Sequence, residues 1–133
     1  MSTLPTASGT FGDKPVLTFP ETAAPAELEV VVLEQGTGEE VRAGQSIDVN
    51  YYGQVWNGAM FDNSYDRGSS IQFPIGVGAV ISGWDDSLVG KQIGSRVLVS
   101  IPPHLGYGER GMPAAGIGGT DTLVFVVDII GAR

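Results

Sequence analysis

The chain has 133 residues with 20 Gly, 8 Pro, one His and no Cys, and 42% of it is hydrophobic against 17% charged. That length fits one domain with some tail. The apolar content excludes wholesale disorder, and the missing thiols and the lone His104 exclude disulfides, thiolate metal sites and three-imidazole zinc. A formal net charge of −8 argues against nucleic acid and anionic membranes as main partners.

The opening MSTLPTASGTFGDKP has neither the basic start nor the apolar stretch of a secretory signal. The longest late apolar run, Leu123 to Val127, is far short of the roughly 20 residues that cross a bilayer. A soluble, cytoplasmic protein is expected. Pro5, Pro15, Pro20 and Pro25 recur among small residues in the first 26 positions. Proline removes a backbone donor and restricts the residue before it, which excludes a helix or central strand there. Residues 1–26 are expected to form an extension, mobile at its start, and residues 27–133 the folded domain. Val16-Leu17-Thr18-Phe19 is apolar enough to lie along the domain as an edge segment; an unpacked tail is the equal alternative.

From Leu28 the pattern has period two. Leu28, Val30 and Val32 alternate up to Gly36 and Gly38. Ile47, Val49 and Tyr51 point one way, and Asp48, Asn50 and Tyr52 the other. Val55-Trp56 leads to Asn57-Gly58, a hairpin turn whose residues tolerate positive φ. Further strands are predicted at Ile71, Phe73 and Ile75, at Val97, Val99 and Ile101, and at Leu123, Phe125, Val127 and Ile129. Only Ile81, Trp84 and Leu88 have helical spacing, with Ser82 as the expected N-cap, Asp85 and Asp86 favoured by the first turn, and Gly90 as the stop. The fold class is therefore α+β: a curved antiparallel β-sheet wrapped around one short α-helix. Two long loops are expected to flank a cleft, one from Gly58 to Ser70 and one from Pro102 to Asp121.

Several chemistries fail on spacing. Gly76-Val77-Gly78 lacks both the third glycine of a dinucleotide loop and the Lys-Ser/Thr of a P-loop. No Ser sits in a Gly-x-Ser-x-Gly elbow, and Asp62 and Asp66 lack the spacing of a calcium loop. Asp85-Asp86 is explained by the helix dipole, and His104 by a solvated or structural loop position. What remains is aromatic and apolar material beside the loops: Tyr51, Phe61, Trp84 and Tyr107.

Six pieces in order carry a resemblance. They are VNYYG (Val49 to Gly53), MFDNS around Phe61-Asp62, Gln72-Phe73, VISGWDDSL (Val80 to Leu88), IPPHLGYG (Ile101 to Gly108) and TLVFVVDI (Thr122 to Ile129). The chain resembles the FKBP family, the tacrolimus-binding peptidyl-prolyl cis–trans isomerases, over about Leu28 to Ile130, and its Pro-rich lead-in is similar to that of small bacterial single-domain members. The resemblance implies a pocket whose working residues are Tyr51, Phe61, Asp62, Ile81, Trp84, Tyr107 and Phe125, with Trp84 as the floor beneath the substrate proline. Arg67, Phe73, Val80 and Ile117 complete the implied substrate-binding surface. Asp62 is expected to be held by Arg67 or Tyr51. Three features depart from the family pattern. Ile71 replaces a frequent aromatic, Met112 a frequent His, and the segment Ala114 to Thr120 is one residue longer.

The resemblance implies rotation of Xaa-Pro bonds in proline-containing polypeptides, binding of tacrolimus- and rapamycin-type macrolides, and no cofactor or metal; a monomer is expected by default, since no coiled-coil or repeat pattern demands assembly. Two other readings compete. One is a non-catalytic binding module of the same fold, against which the intact aromatic set speaks. The other is a carbohydrate-binding β-domain that stacks sugars on Tyr52 and Trp56, which would require an exposed aromatic row.

Overall fold

The computed structural model describes residues 4–133. The expected mobile start falls in part on residues 1–3, outside the described residues. Strands β1 (Thr6–Ala7) and β2 (Leu17–Thr18) form a small hairpin. A six-stranded antiparallel sheet follows, built from β3 (Glu29–Glu34), β4 (Ser46–Val55), β5 (Met60–Asn63), β6 (Ile71–Pro74), β7 (Arg96–Ile101) and β8 (Leu123–Ala132). The spatial order is β3-β7-β8-β4-β5, and β6 also pairs with β4. β5 lies against Tyr52 to Gln54 and β6 against Ser46 to Val49, so the two short strands share one edge of β4. The one α-helix among the described residues, α1 (Ser82–Leu88), buries Gly83, Trp84, Ser87 and Leu88. The α+β expectation, a curved antiparallel sheet around one short helix, holds.

The period-two pattern explains the inner core. Ile47, Val49, Val97, Val99, Ile101, Leu123, Val127 and Ile129 pack with Leu88 and Trp84 in one buried cluster. A Cβ at Gly83 would lie 2.6 Å from Ile101, so the missing side chain lets α1 sit directly on β7.

The opposite face is also covered. Leu17, Tyr52, Leu98, Val124 and Val126 form a second buried cluster, with Phe19 and Trp56 packed against it. Phe19 meets Trp56 edge-on at 5.3 Å, and the Trp56 indole N–H donates to the Thr22 carbonyl at 3.3 Å. The segment from Val16 to Phe19 thus lies on the sheet's outer face. The same packing removes the basis of the carbohydrate reading, because Tyr52 is buried and Phe19 covers Trp56.

Three local expectations need correction. Phe61 and Asp62 belong to strand β5, because the Asn57-Gly58 turn returns the chain onto β4 within two residues. Ser82 is the first helical residue; the cap position is Ile81, with no side-chain cap bond. The stretch from Pro102 to Asp121 contains three short 3₁₀ turns and a bridge in which Met112 and Ile117 exchange backbone hydrogen bonds.

Candidate active site

The inner face of the sheet meets α1 at a set of rings. Tyr51 projects from β4, Phe125 from β8, Phe73 from β6 and Trp84 from the helix. Trp84 contacts all three, with centroids 5.5 Å from Tyr51, 5.3 Å from Phe73 and 5.1 Å from Phe125. Phe61 from β5 meets Phe125 edge-on at 5.5 Å. Gly53 makes that meeting possible: a Cβ there would come within 2.7 Å of the Phe61 ring and 2.8 Å of the Phe125 ring. The sequence therefore supplies a backbone with no side chain where two rings must close.

A cavity of about 620 Å³ opens above Trp84, between β5, the 76–81 loop and the 102–121 loop. Trp84 is only 5% exposed, yet its ring forms part of the cavity wall, and its buried indole N–H has no partner. Of the residues expected at the pocket, Tyr51, Phe61, Asp62, Val80, Ile81, Trp84, Tyr107 and Phe125 line it. The other three stand behind the wall. Arg67 holds Asp62 and Tyr51, Phe73 backs Trp84, and Ile117 is buried and bonded to Met112. Sequence reasoning missed Gly78, Ala79 and Ala115 as lining residues, while Ile71 and Met112, the two departures from the family pattern, both face the cavity. Small residues carry no chemical signal in a sequence; only the path of the loops brings them to the wall.

The polar part of the wall is a three-member cluster. The Tyr51 hydroxyl donates to Asp62 Oδ2 and accepts from Arg67 Nη2 at 2.9 Å. Arg67 Nη1 donates to Asp62 Oδ1 at 2.5 Å, and the guanidinium carbon lies 5.6 Å from the Tyr51 ring centroid. Burial acts to raise the Asp62 carboxyl, but the hydrogen bonds from Tyr51 and Arg67 outweigh it and hold the group below the ordinary carboxylate value. Tyr51 is raised, first by burial and then by the bond to Asp62. Tyr107 is raised by burial and, more weakly, by the Asp62 charge.

The loop before the helix is tied by Asp85, whose carboxylate accepts from the Gly76 N–H at 2.6 Å and the Gly78 N–H at 3.0 Å. This corrects the reading of Asp85 as a dipole charge alone. Both glycines have positive φ, so the chain turns there and delivers Val80 and Ile81 to the cavity. Among the described residues, the Ile81 N–H at the head of the helix finds no acceptor. No group of three or more His, Asp or Glu among the described residues could hold a metal.

The fold and cavity define a class: an antiparallel sheet packed on one short α-helix, with a ring-lined hollow that is apolar on most sides and an unused backbone donor, the Ile81 N–H, at its rim. The comparisons specify the class further. Residues 37–130 match the model of the FKBP-type peptidyl-prolyl cis-trans isomerase domain. The FK506-binding protein of Streptomyces anulatus is 40% identical over 119 residues, spanning 89% of this chain and 96% of that protein. The peptidyl-prolyl cis-trans isomerase FKBP15-2 of Arabidopsis thaliana is 40% identical over 107 residues, spanning 79% of this chain and 65% of that one. The crystal structure of AtFKBP13 superimposes with a TM-score of 0.74 at 36% identity, covering 83% of this chain and 96% of that chain. The chain belongs to the FKBP family and is a peptidyl-prolyl cis–trans isomerase.

Proposed function

We propose that this isomerase accelerates Xaa-Pro rotation by seating the proline ring on Trp84 and favouring the twisted amide over the planar one. The C–N bond resists rotation by roughly 20 kcal/mol because resonance gives it partial double-bond character. That resonance also polarises the planar form, with negative charge on oxygen. The twisted form has lost it and is less polar, so a dry apolar hollow destabilises the ground state relative to the transition state. The observation that carries this reading is the cavity itself, apolar on most sides and floored by the indole.

Each lining group then has a role. Trp84, Val80 and Phe125 cradle the ring and exclude water, while Phe73 supports the floor from behind. The edges of Tyr51, Phe61 and Phe125 present partial positive charge to the carbonyl that swings out of plane. The free Ile81 N–H and the Tyr107 hydroxyl hold the substrate main chain. Asp62, held by Tyr51 and Arg67, keeps the wall in shape. The pocket is complete within one chain, which supports action as a monomer, and the charge of −8 supports polypeptides rather than nucleic acid or anionic membrane as substrate. Tacrolimus- and rapamycin-type macrolides occupy the same hollow; the FK506-binding name of the Streptomyces anulatus relative supports this.

NMR exchange spectroscopy on a short Xaa-Pro peptide tests the activity: micromolar protein speeds cis–trans exchange. Tacrolimus changes Trp84 fluorescence in a Trp56→Phe background, which removes the second indole. Macrolide binding without faster exchange would reduce the protein to a binding module. Faster exchange without a Trp84 response would move the site elsewhere.

A further inference from the structure

The N-terminal segment touches the molecule at more than its apolar cluster. The Gly12 N–H donates to Asp128 Oδ2 at 2.8 Å, and the Tyr65 hydroxyl donates to the same oxygen at 2.7 Å. Asp128 is fully buried and paired with Arg96, whose Nε lies 2.7 Å from Oδ1. Arg96 also donates to the carbonyls of Ser8 and Asp13. Two residues further on, Lys14 reaches across to Asp66, with Nζ 2.9 Å and 3.0 Å from the two carboxylate oxygens. Lys14 therefore grips Asp66 directly, while Gly12 and Tyr65 are tied together through the carboxylate of Asp128.

The next residue in the chain is Arg67, which holds Asp62 and Tyr51 on the pocket wall. The turn between them is tight. The Asp66 N–H donates to Asn63 Oδ1 at 2.8 Å, Asn63 Nδ2 returns to Asp66 at 3.1 Å, and the Gly68 N–H donates to the Tyr65 carbonyl at 3.1 Å. Arg67 is nearly half exposed, so the backbone position of this turn sets where its guanidinium meets Asp62 and Tyr51. We propose that the N-terminal segment is a strap that sets the isomerase pocket from the opposite face of the sheet, with Lys14 and Tyr65 as positioning residues for Arg67. The inference rests on the pocket assignment above and adds to it a part of the chain outside the family-matched region, residues 37–130. Holding Arg67 keeps Asp62 and the Tyr51 hydroxyl in one arrangement, so substrate meets a wall that is already formed.

The test uses the full chain. Lys14→Ala lowers kcat/KM by about two- to fivefold, the factor that losing one exposed ion pair carries. Lys14→Ala combined with Tyr65→Phe lowers it further, and Lys14→Arg restores the wild-type value. Trp56→Phe, which loosens the strap's apolar end only, is the stability control and leaves kcat/KM unchanged. The Arg67 guanidinium ¹⁵N–¹H signals are expected to be sharp in the wild type and to broaden in the double variant. Unchanged kcat/KM in the double variant overturns the proposal, as does an equal loss in Trp56→Phe at matched loss of stability. If activity falls while the Arg67 signals stay sharp, the strap acts by general stability and the proposal is again overturned. A wild-type protein that fails to bind tacrolimus at Trp84 would strike the pocket assignment alone, and the Arg67 signals would still decide whether the strap positions that side chain.

Discussion

Tyr51 and Asp62 meet on the pocket wall with the phenol as donor and the carboxylate as acceptor, and neither group is arranged to ionise differently near neutral pH. A carboxyl depressed in the folded state contributes stability that is present above its unfolded value of about 4 and is lost as pH falls through the lower folded value. A phenol raised in the folded state contributes stability below about 10 that is lost as pH rises through the higher folded value. The wall is therefore intact, and kcat/KM flat, from about pH 5 to about pH 9. A pH–rate profile checks the plateau, and ¹³C titration of the Asp62 carboxyl checks its cause. An activity midpoint inside that window that disappears in Asp62→Asn would contradict this account.

Trp84 has two duties, in the core and in the cavity floor, and its truncation separates them poorly. Trp84→Ala should destabilise the fold by about 3–5 kcal/mol, the usual cost of removing a buried large aromatic. Trp84→Phe keeps most of the apolar volume and supplies the clean comparison. It should leave the protein folded at 25 °C while lowering kcat/KM by about tenfold, which corresponds to ~1.4 kcal/mol of transition-state preference. Denaturant titration and peptide exchange together read both effects.

Gly53→Ala tests the wall without touching any group that contacts substrate through a polar atom. The added methyl would lie 2.7 Å from the Phe61 ring edge and 2.8 Å from the Phe125 ring edge, so the rings must separate or β4 must shift. Overpacking of this kind costs about 1–3 kcal/mol. The aromatic near-ultraviolet circular dichroism should change and kcat/KM should fall, while Gly131→Ala, on β8 with open space around it, should leave the rings and kcat/KM unaltered.

These rings also show what a sequence can disclose. Tyr51, Trp84 and Phe125 were recoverable because period two and period 3.6 each place them on the inward face, and the motif resemblance adds their role. β5 was not recoverable as a strand, since Met60 to Asn63 offers no alternation of its own and is ordered by pairing with β4. The outer apolar cluster does leave a trace in the sequence. Leu123 to Val127 is apolar at every position, the pattern of a strand buried on both faces, and something had to cover Val124 and Val126. That cover comes in part from Leu17, in the Val16-Leu17-Thr18-Phe19 stretch whose apolar character allows it to lie along the domain, though on the sheet's outer face rather than at its edge. Contacts at long sequence separation, such as Lys14 with Asp66 or Gly12 with Asp128, leave no periodic trace and become visible only when the chain is folded.

Asp85 separates a dipole effect from a loop anchor. If its charge served only the helix N-terminus, Asp85→Ala and Asp86→Ala would cost similar small amounts, a few tenths of a kcal/mol to about 1. The structure gives Asp85 two backbone amides and leaves Asp86 exposed. Asp85→Ala should therefore speed hydrogen exchange at Gly76 and Gly78 and lower kcat/KM, because the freed loop carries Val80 and Ile81 at the cavity rim. Asp86→Ala should change neither. Asp85→Asn retains an acceptor oxygen and should recover part of the amide protection while losing the charge, so its intermediate value measures how much of the anchor is hydrogen bonding. Equal behaviour of the two alanine variants would return Asp85 to the dipole explanation.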